Sequence, residues 1–333
     1  MKIRHTLILV ITIIMLSGVY YGYKLLSTTK NTYDVEIKIP ENSSTREIAN
    51  ILHEKSIIRS KYYFIFEQKV LHKDKIIKFG TFIIPKQIPL SRLANILARY
   101  GKDANMIKIT IPEGYNTEQI GQLLEKNGLV TKNDFLNKVA NWKDTSYWFL
   151  KDIPQDTHML DGFLFPNTYF FYKNETSDEI IHAMLDQFDK EISQYKNYII
   201  QSNYDIRNLV IVASLIEKEA RKDVDRPKIA SVIYNRLNKD MPLQIDATII
   251  YVIGHKDKLY NKDLMVQSPY NTYINKGLPP SSICNPGIAS ITAAIHPEKT
   301  DYLYYVLNEQ TSEHVFAKTY QEHVENIKKY IKH

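Results

Sequence analysis

The sequence predicts an α+β protein in three parts: an N-terminal membrane-spanning helix, a region of small α/β repeat units, and a larger mixed α/β domain. Three observations carry this. A charge-free apolar run fills residues 7–23, a strand–turn–helix pattern recurs at an offset of 72 residues, and beyond Gly128 helical runs alternate with sharply punctuated loops. Behind a short cytoplasmic N-terminus, 1–6, the three parts are bounded as 7–23 (membrane span), 34–128 (repeats) and 129–333 (mixed domain). With 333 residues, 44% hydrophobic and 24% charged, the chain has globular composition and enough length for roughly two cores. A formal charge of +6, spread along the chain, is too mild for a nucleic-acid-binding surface. The single cysteine, Cys284, excludes an internal disulfide framework and a cysteine-based zinc site.

The span comes first. Leu7–Tyr23 holds seventeen residues without a charge. At 1.5 Å per residue that is about 26 Å, close to the thickness of a hydrocarbon core. Tyr20, Tyr21 and Tyr23 gather at its far end, where amphipathic rings favour the interface. No small-x-small cleavage site follows, so an uncleaved anchor is expected rather than a signal peptide. Lys2 and Arg4 precede it, which favours an inside N-terminus and an outside body.

The repeat follows. Pro40, Glu41, Thr45, Ile48 and Leu52 return as Pro112, Glu113, Thr117, Ile120 and Leu124, and Phe82–Leu97 reads as a weaker copy. Each copy predicts an alternating strand, a Pro-led turn, a Thr cap and an amphipathic helix. Small βααβ units of this kind resemble the LysM fold, which binds aminosugar chains. No row of aromatic side chains on one face marks a sugar platform here, and a spacer is the plainer reading.

In the last part, Asp161–Tyr169 is an aromatic, turn-rich segment, and Ser177 or Asp178 is expected to cap a helix running towards Tyr198. Asn208–Arg221 is an apolar helical run ending in two carboxylates, and Pro227 opens the next helix. Strands are expected near Thr248 and over Tyr302–Val306. Glu217 and Glu219 project about 200° apart on a helix and cannot share one site. Glu219 continues the stripe of Val212, Leu215 and Ile216, whereas Glu217 follows Val210, Ala213 and Ser214. A carboxyl against an apolar wall keeps its proton to higher pH and can serve as a general acid, which favours Glu219. The plain alternative is a solvated or paired glutamate, with Lys218, Arg221 and Lys222 at hand. No nucleophile elbow, zinc-protease helix or phosphate loop competes, and the ten histidines are scattered. Cys284 reads as a small buried apolar residue.

Taken in order, S-L-I-E-K-E-A (from Ser214), L-Q-I-D-A-T-I-I-Y (from Leu243), S-P-Y-N-T-Y (from Ser268), G-L-P-P (from Gly277), N-P-G (from Asn285) and a closing H-V-F…H resemble the YceG-like family, the endolytic murein transglycosylases (MltG). The resemblance covers nearly the whole chain. It implies a LysM-like region followed by a catalytic domain, a single-pass protein of the cytoplasmic (inner) membrane, and a periplasmic or extracellular body. The implied activity is a lyase reaction on nascent peptidoglycan strands. It cleaves the β-1,4 bond between N-acetylmuramic acid and N-acetylglucosamine, leaves a 1,6-anhydro end, and ends strand elongation without a metal or cofactor. The second glutamate of E-K-E, Glu219, then carries the catalytic role; a shift of register would give it to Glu217. Partners of the resemblance are glycan strands and the penicillin-binding proteins of wall synthesis.

Expected supporting residues are Glu217, Gln244, Asp246, Thr248, Tyr270, Asn271, Thr272 and Tyr273. The side-chain amides of Asn271 and Gln244 suit N-acetyl groups as donor and acceptor. Asp246 suits a positively charged sugar ring, or the second carboxylate of a hydrolase on the same bond. The bland reading of these residues is loop structure, since Asn, Thr and Asp bond backbone in turns. A third reading is a non-catalytic, membrane-anchored glycan-binding scaffold. The chain departs from the family pattern at Ile245 and Ala247 (Thr and Pro expected), Asp161 (Glu), Asn167 (Asp) and Ser281 (Gly). None lies in E-K-E, but Asn167 removes a carboxylate from its position.

Overall fold

The computed structural model describes residues 21–22, 24–40, 43–70, 77, 80–99, 106–173, 175–201, 205–256 and 258–331. The predicted span at 7–23 lies outside them except for Tyr21 and Gly22. Among the described residues no helix is long and apolar enough to cross a membrane. The fold is mixed α/β, with many helices and small two-stranded sheets, in two compact units.

The first unit runs to Ile107 and takes in Phe170–Lys173. It contains β1 (Val35–Ile39), α1 (Thr45–Glu54), α2 (Lys61–Val70), β2 (Gly80–Ile84) and α3 (Leu90–Arg99). The strands pair antiparallel, with Ile37 opposite Phe82. Period-two alternation turns Ile37, Ile39, Phe82 and Ile84 inward while Glu36 and Lys38 face water. The core is completed by Ile48 and Leu52 of α1, Phe64 of α2, and Leu93 and Leu97 of α3. Strands β3 (Met106–Thr110) and β4 (Thr168–Tyr172), which carry the chain between the units, pair with one another.

The second unit holds α4 (Thr117–Lys126), α5 (Lys132–Ala140), α6 (Ser177–Ile192), α7 (Lys196–Gln201), α8 (Ile206–Glu219), α9 (Arg226–Asn238), α10 (Asp246–Ile253), α11 (Ile288–Ile295), the hairpin β5 (Tyr304–Asn308)–β6 (Glu313–Ala317) and α12 (Tyr320–Tyr330). Helix α8 is its axis. Every residue from Leu209 to Ile216 is buried, because α9, α10 and α11 all pack against it. That accounts for an apolar run with no polar stripe. Phe149, Phe163 and Phe188 form a second buried cluster, with ring centroids 4.8–5.6 Å apart.

Three sequence expectations are corrected. The repeat helices are capped one residue before the threonines, by Ser44 and Asn116. The reason is reciprocal capping: Ser44 pairs with Glu47, and Asn116 with Gln119, three residues on. Likewise α6 is capped by Thr176 with Glu179, not by Ser177 or Asp178, and it stops at Ile192. The stretch around Thr248 is helix α10, not a strand. Its β-branched residues favour a strand, but burial of Ala247, Thr248 and Ile249 overrides that preference, and Thr248 Oγ1 donates to the Ile245 carbonyl at 2.7 Å.

Phe188→Ala should empty the aromatic cluster and cost about 3–5 kcal/mol, read as a lower midpoint in thermal or urea unfolding.

Candidate active site

The end of α8 separates two carboxylates that are near neighbours in sequence. Glu217 is locked. Its Oε2 accepts from the Gly287 N–H at 3.0 Å and from Ser290 Oγ at 2.8 Å, and the Arg226 guanidinium lies 3.4 Å away. Arg226 also donates to Ser290 and to Asp223. Glu217 thus joins α8 to the first turn of α11 through an almost fully buried pair with side-chain exposures of 7% and 11%. Gly287 is required there, since the Glu113 carboxylate fills the space a Cβ would take. Burial, then the Glu217 charge, holds the Glu113 carboxyl above its usual range.

Glu219, the last residue of the helix, is partly buried and has a different set of neighbours. Its Oε2 accepts a 2.9 Å hydrogen bond from the Tyr305 hydroxyl. Burial pushes its pKa up to about 7; the Tyr305 bond and Arg221 oppose the rise, and the Asp246 charge adds to it. Near neutrality this carboxyl is both proton donor and, once ionised, acceptor.

Tyr305 stands on β5, and that strand is held from two sides. Arg236 of α9 donates through Nε to the Leu303 carbonyl at 2.6 Å, and through Nη1 to the carbonyls of Leu243 at 2.8 Å and Pro242 at 3.2 Å. On β6, His314 donates its backbone N–H to Asp225 Oδ2 at 2.8 Å, with its Nδ1 3.0 Å from the same oxygen. The guanidinium therefore fixes both the approach to Tyr305 and the loop leading to Gln244 and Asp246.

Asp246 opens α10, is exposed, and accepts a short hydrogen bond from the Tyr273 hydroxyl. Burial, then this bond, raises the Tyr273 pKa, as does the nearby Glu219 charge. Exposed Gln244 has left-handed backbone (φ +52°), and its N–H donates to the Thr272 carbonyl at 3.0 Å. Glu219, Tyr305, Asp246 and Tyr273 thus form one polar group.

Other expected residues form the frame beneath it. Thr272 Oγ1 accepts from the Ile245 N–H and lies 3.0 Å from Thr248 Oγ1. The fully buried Asn271 donates to the carbonyls of Leu264 and Val266 and accepts from the Tyr273 N–H, so its amide is used within the loop. Tyr270 joins a separate network with Ser281 and Asp161. Buried Cys284 donates to the Ser214 carbonyl, and burial raises its thiol pKa far above the ordinary value. Among the described residues no three His, Cys, Asp or Glu side chains gather as a metal site.

The YceG-like family profile matches residues 37–329. The chain belongs to the YceG-like family. Similar proteins include the endolytic murein transglycosylase of Bacillus subtilis, 38% identical over 93% of this chain and 89% of its own length. That of Streptococcus pneumoniae D39 is 31% identical over 97% of this chain, which spans 64% of that longer protein. A crystal structure of a YceG-like protein from Listeria monocytogenes superposes with a TM-score of 0.58 at 34% identity, over 89% of this chain and 99% of that one.

In this YceG-like chain, sequence reasoning missed Tyr305 and Arg236. Tyr305 sits 86 residues from Glu219, and its only local signal is an aromatic residue in an alternating strand.

Two outcomes follow for the carboxylates. Glu217→Ala should strand Arg226 and the first turn of α11, costing about 3–5 kcal/mol in denaturant unfolding. For Glu219 the raised folded pKa means stabilisation present in full below about 4.5 and lost as pH rises through about 7. Glu219→Gln should therefore gain stability relative to the parent by roughly 3 kcal/mol between pH 4 and pH 8, at about 1.4 kcal/mol per pKa unit. Paired thermal melts across that range check it.

Proposed function

We propose that this protein is a membrane-anchored endolytic transglycosylase that cleaves the β-1,4 bond between N-acetylmuramic acid and N-acetylglucosamine in nascent peptidoglycan, with Glu219 as its single acid–base catalyst. The observation that carries the reading is the Glu219 carboxyl, held up to about 7 by burial beside an ionisable partner and reached by one fixed donor, Tyr305. The similar proteins named endolytic murein transglycosylases support the same reaction.

The proton moves twice. Protonated Glu219 gives its proton to the glycosidic oxygen as the bond to the muramic anomeric carbon breaks and positive charge develops on the ring. The resulting carboxylate then takes the proton from that sugar's own primary hydroxyl, whose oxygen closes onto the anomeric carbon. Glu219 is returned protonated, no water is consumed, and the products are an anhydro end and a free hydroxyl. The nucleophile is part of the substrate, which removes the entropic cost of a bimolecular attack. Tyr305 keeps the carboxyl aimed, and the Asp246 carboxylate, oriented by Tyr273, favours positive charge on the ring. The side chain of Gln244 faces solvent beside Asp246 and suits an N-acetyl group.

The anchor, residues 7–23, holds the body outside the membrane, where glycan strands are made. The first unit, with two helices between antiparallel β1 and β2, is proposed as a LysM-like module for the same polymer. Cleavage of nascent strands makes penicillin-binding proteins its natural neighbours, and the cut ends elongation.

The test uses the full chain in detergent, parent and Glu219→Gln, on uncrosslinked glycan strands, with products read by mass spectrometry. The parent should yield 1,6-anhydro ends and lose rate as pH rises through about 7. Glu219→Gln should lose about 10²–10⁴-fold in rate. Hydrated reducing ends would mean a hydrolase using Asp246, and equal rates would move the acid elsewhere.

A further inference from the structure

Helix α2 of the first unit carries large apolar side chains on two opposite faces. Phe64 and Gln68 are buried, and Tyr63 and Ile65 pack partly against the same core. On the other side Tyr62, Phe66, Lys69 and Val70 are exposed; Tyr62, Phe66 and Val70 keep 75%, 64% and 57% of their surface. Spaced four apart, those three form one stripe. The usual order is inverted. The Gln68 amide is fully buried with neither its oxygen nor its nitrogen hydrogen-bonded, while a phenylalanine and a valine face outward. Single exposed apolar side chains are ordinary, but a continuous stripe marks a surface that something covers.

The stripe starts beside the exit of the expected span. Residues 24–26 are helical, and the Ser27 and Thr28 hydroxyls donate back to the Lys24 carbonyl at 3.2 and 3.4 Å. Arg59 donates through Nη1 to the carbonyls of Leu25 at 3.1 Å and Thr28 at 2.8 Å. Only Ser60 separates Arg59 from α2. One guanidinium thus closes the C-terminal end of the first helix and sets the start of the next.

The connection has no slack. From Ser27 onward the chain is laid against the unit: the Leu90 N–H donates to the Ser27 carbonyl at 2.8 Å, the Thr29 N–H to Ile88 at 2.8 Å, and the Lys30 N–H to Ile57 at 2.7 Å. Three residues, 24–26, lie between Tyr23, the last of the expected span, and Ser27. At 1.5 Å per helical residue they rise about 5 Å, no more than the depth of one headgroup layer. A bilayer crossed by residues 7–23 therefore lies against this unit.

The chemistry of the stripe fits the same surface. Its exposed groups are a phenol, a phenyl, an isopropyl and the Lys69 ammonium, with no acid among them. Lys61 Nζ lies 5.5 Å from the Tyr62 ring centroid, so a second cation flanks the rings. Aromatic and aliphatic side chains edged by cations are the composition of helices that lie in a phospholipid interface. A glycan would need amides or carboxylates beside the rings, and none of the exposed residues of α2 supplies one. Three side chains also fall short of the roughly 800 Å² that each partner of a stable protein interface buries.

We propose that α2 is an interfacial membrane helix, with Tyr62, Phe66 and Val70 seated among the headgroups and upper acyl chains of a phospholipid bilayer and Lys69 on the lipid phosphates. The inference rests on the anchor proposed above, which brings the bilayer to α2, and is independent of the reaction at Glu219. Once residues 7–23 cross the bilayer, this second contact is intramolecular. A stripe too small to recruit a soluble protein is then held at high effective concentration. A span and a surface helix together keep the first unit at one height and one orientation on the membrane, where a single span would leave it free to swivel.

The experiment places the full chain in nanodiscs of phosphatidylglycerol and phosphatidylcholine, as parent and as Tyr62→Trp, whose indole suits the same interface. Indole emission is read with and without bromine on the lipid acyl chains, and the parent signal from Trp142 and Trp148 is subtracted. The added indole should emit to the blue and lose emission to brominated lipid. Combining Tyr62→Trp with Phe66→Glu and Val70→Glu should abolish that loss while leaving the unfolding midpoint in detergent unchanged, since both side chains are exposed. An added indole quenched no more than the parent would overturn the proposal, as would quenching that survives both glutamates. Emission that responds to soluble glycan strands, or to a second chain in the disc, without lipid quenching would give the face to that occupant and overturn it too. The anchor is read separately, by alkaline carbonate extraction of the parent chain from membranes. A chain that resists extraction but shows no quenching keeps the anchor and loses α2 as a membrane helix. One that carbonate releases, yet whose added indole is quenched in the discs, does the reverse.

Discussion

The Arg236 guanidinium is the tie on which the arrangement around Glu219 depends. It projects from α9 and satisfies three backbone carbonyls, one before β5 and two before Gln244. Those segments are some sixty residues apart in sequence and contribute Tyr305 on one side and Asp246 on the other. Neither is a long regular element that would hold its place by its own packing. A delocalised, planar cation with five donors in fixed directions can bind several carbonyls at once, which a lysine ammonium does less well. The Tyr304 ring also lies against the guanidinium, 5.1 Å from its carbon, so the charge is screened from water while it holds both segments.

A second constraint sorts the two glutamates. Helix α8 is buried from Leu209 to Ile216, so beyond its first turn charged groups emerge only at its C-terminal end. There the helical pitch sends Glu217 to the start of α11 and Glu219 to β5. The charged state of Glu217 is met by a backbone N–H, a hydroxyl and a guanidinium. Glu219 receives one phenol. Two identical side chains, two positions apart, are thereby given a structural and a chemical character by their surroundings alone.

Much of this was legible from the residues. Alternation exposed β1, the apolar run exposed α8, and periodicity separated Glu217 from Glu219 before any contact was known. The capping errors were a single residue, because Ser44 and Thr45, or Asn116 and Thr117, are both competent caps and only the partner three residues on decides between them. Helix α10 was hidden by its β-branched residues, whose preference burial against α8 overrides. Asn271 looked like a free amide, and its use within the loop depends on Leu264 and Val266 carbonyls whose direction no spacing reveals. Tyr305 and Arg236 were beyond reach for the same reason: each acts through a partner many tens of residues away, and distance along the chain carries no signal of approach in space.

Cys284 has a consequence of another kind. The thiol is buried, bonded to the Ser214 carbonyl, with its ionisation strongly suppressed. Thiolate is the nucleophile that attacks peroxides and disulfides, so this sulfur is shielded both by access and by charge state. With no other cysteine in the sequence, no disulfide can form within it or be reduced. The fold therefore stands apart from any thiol–disulfide balance in the surrounding medium.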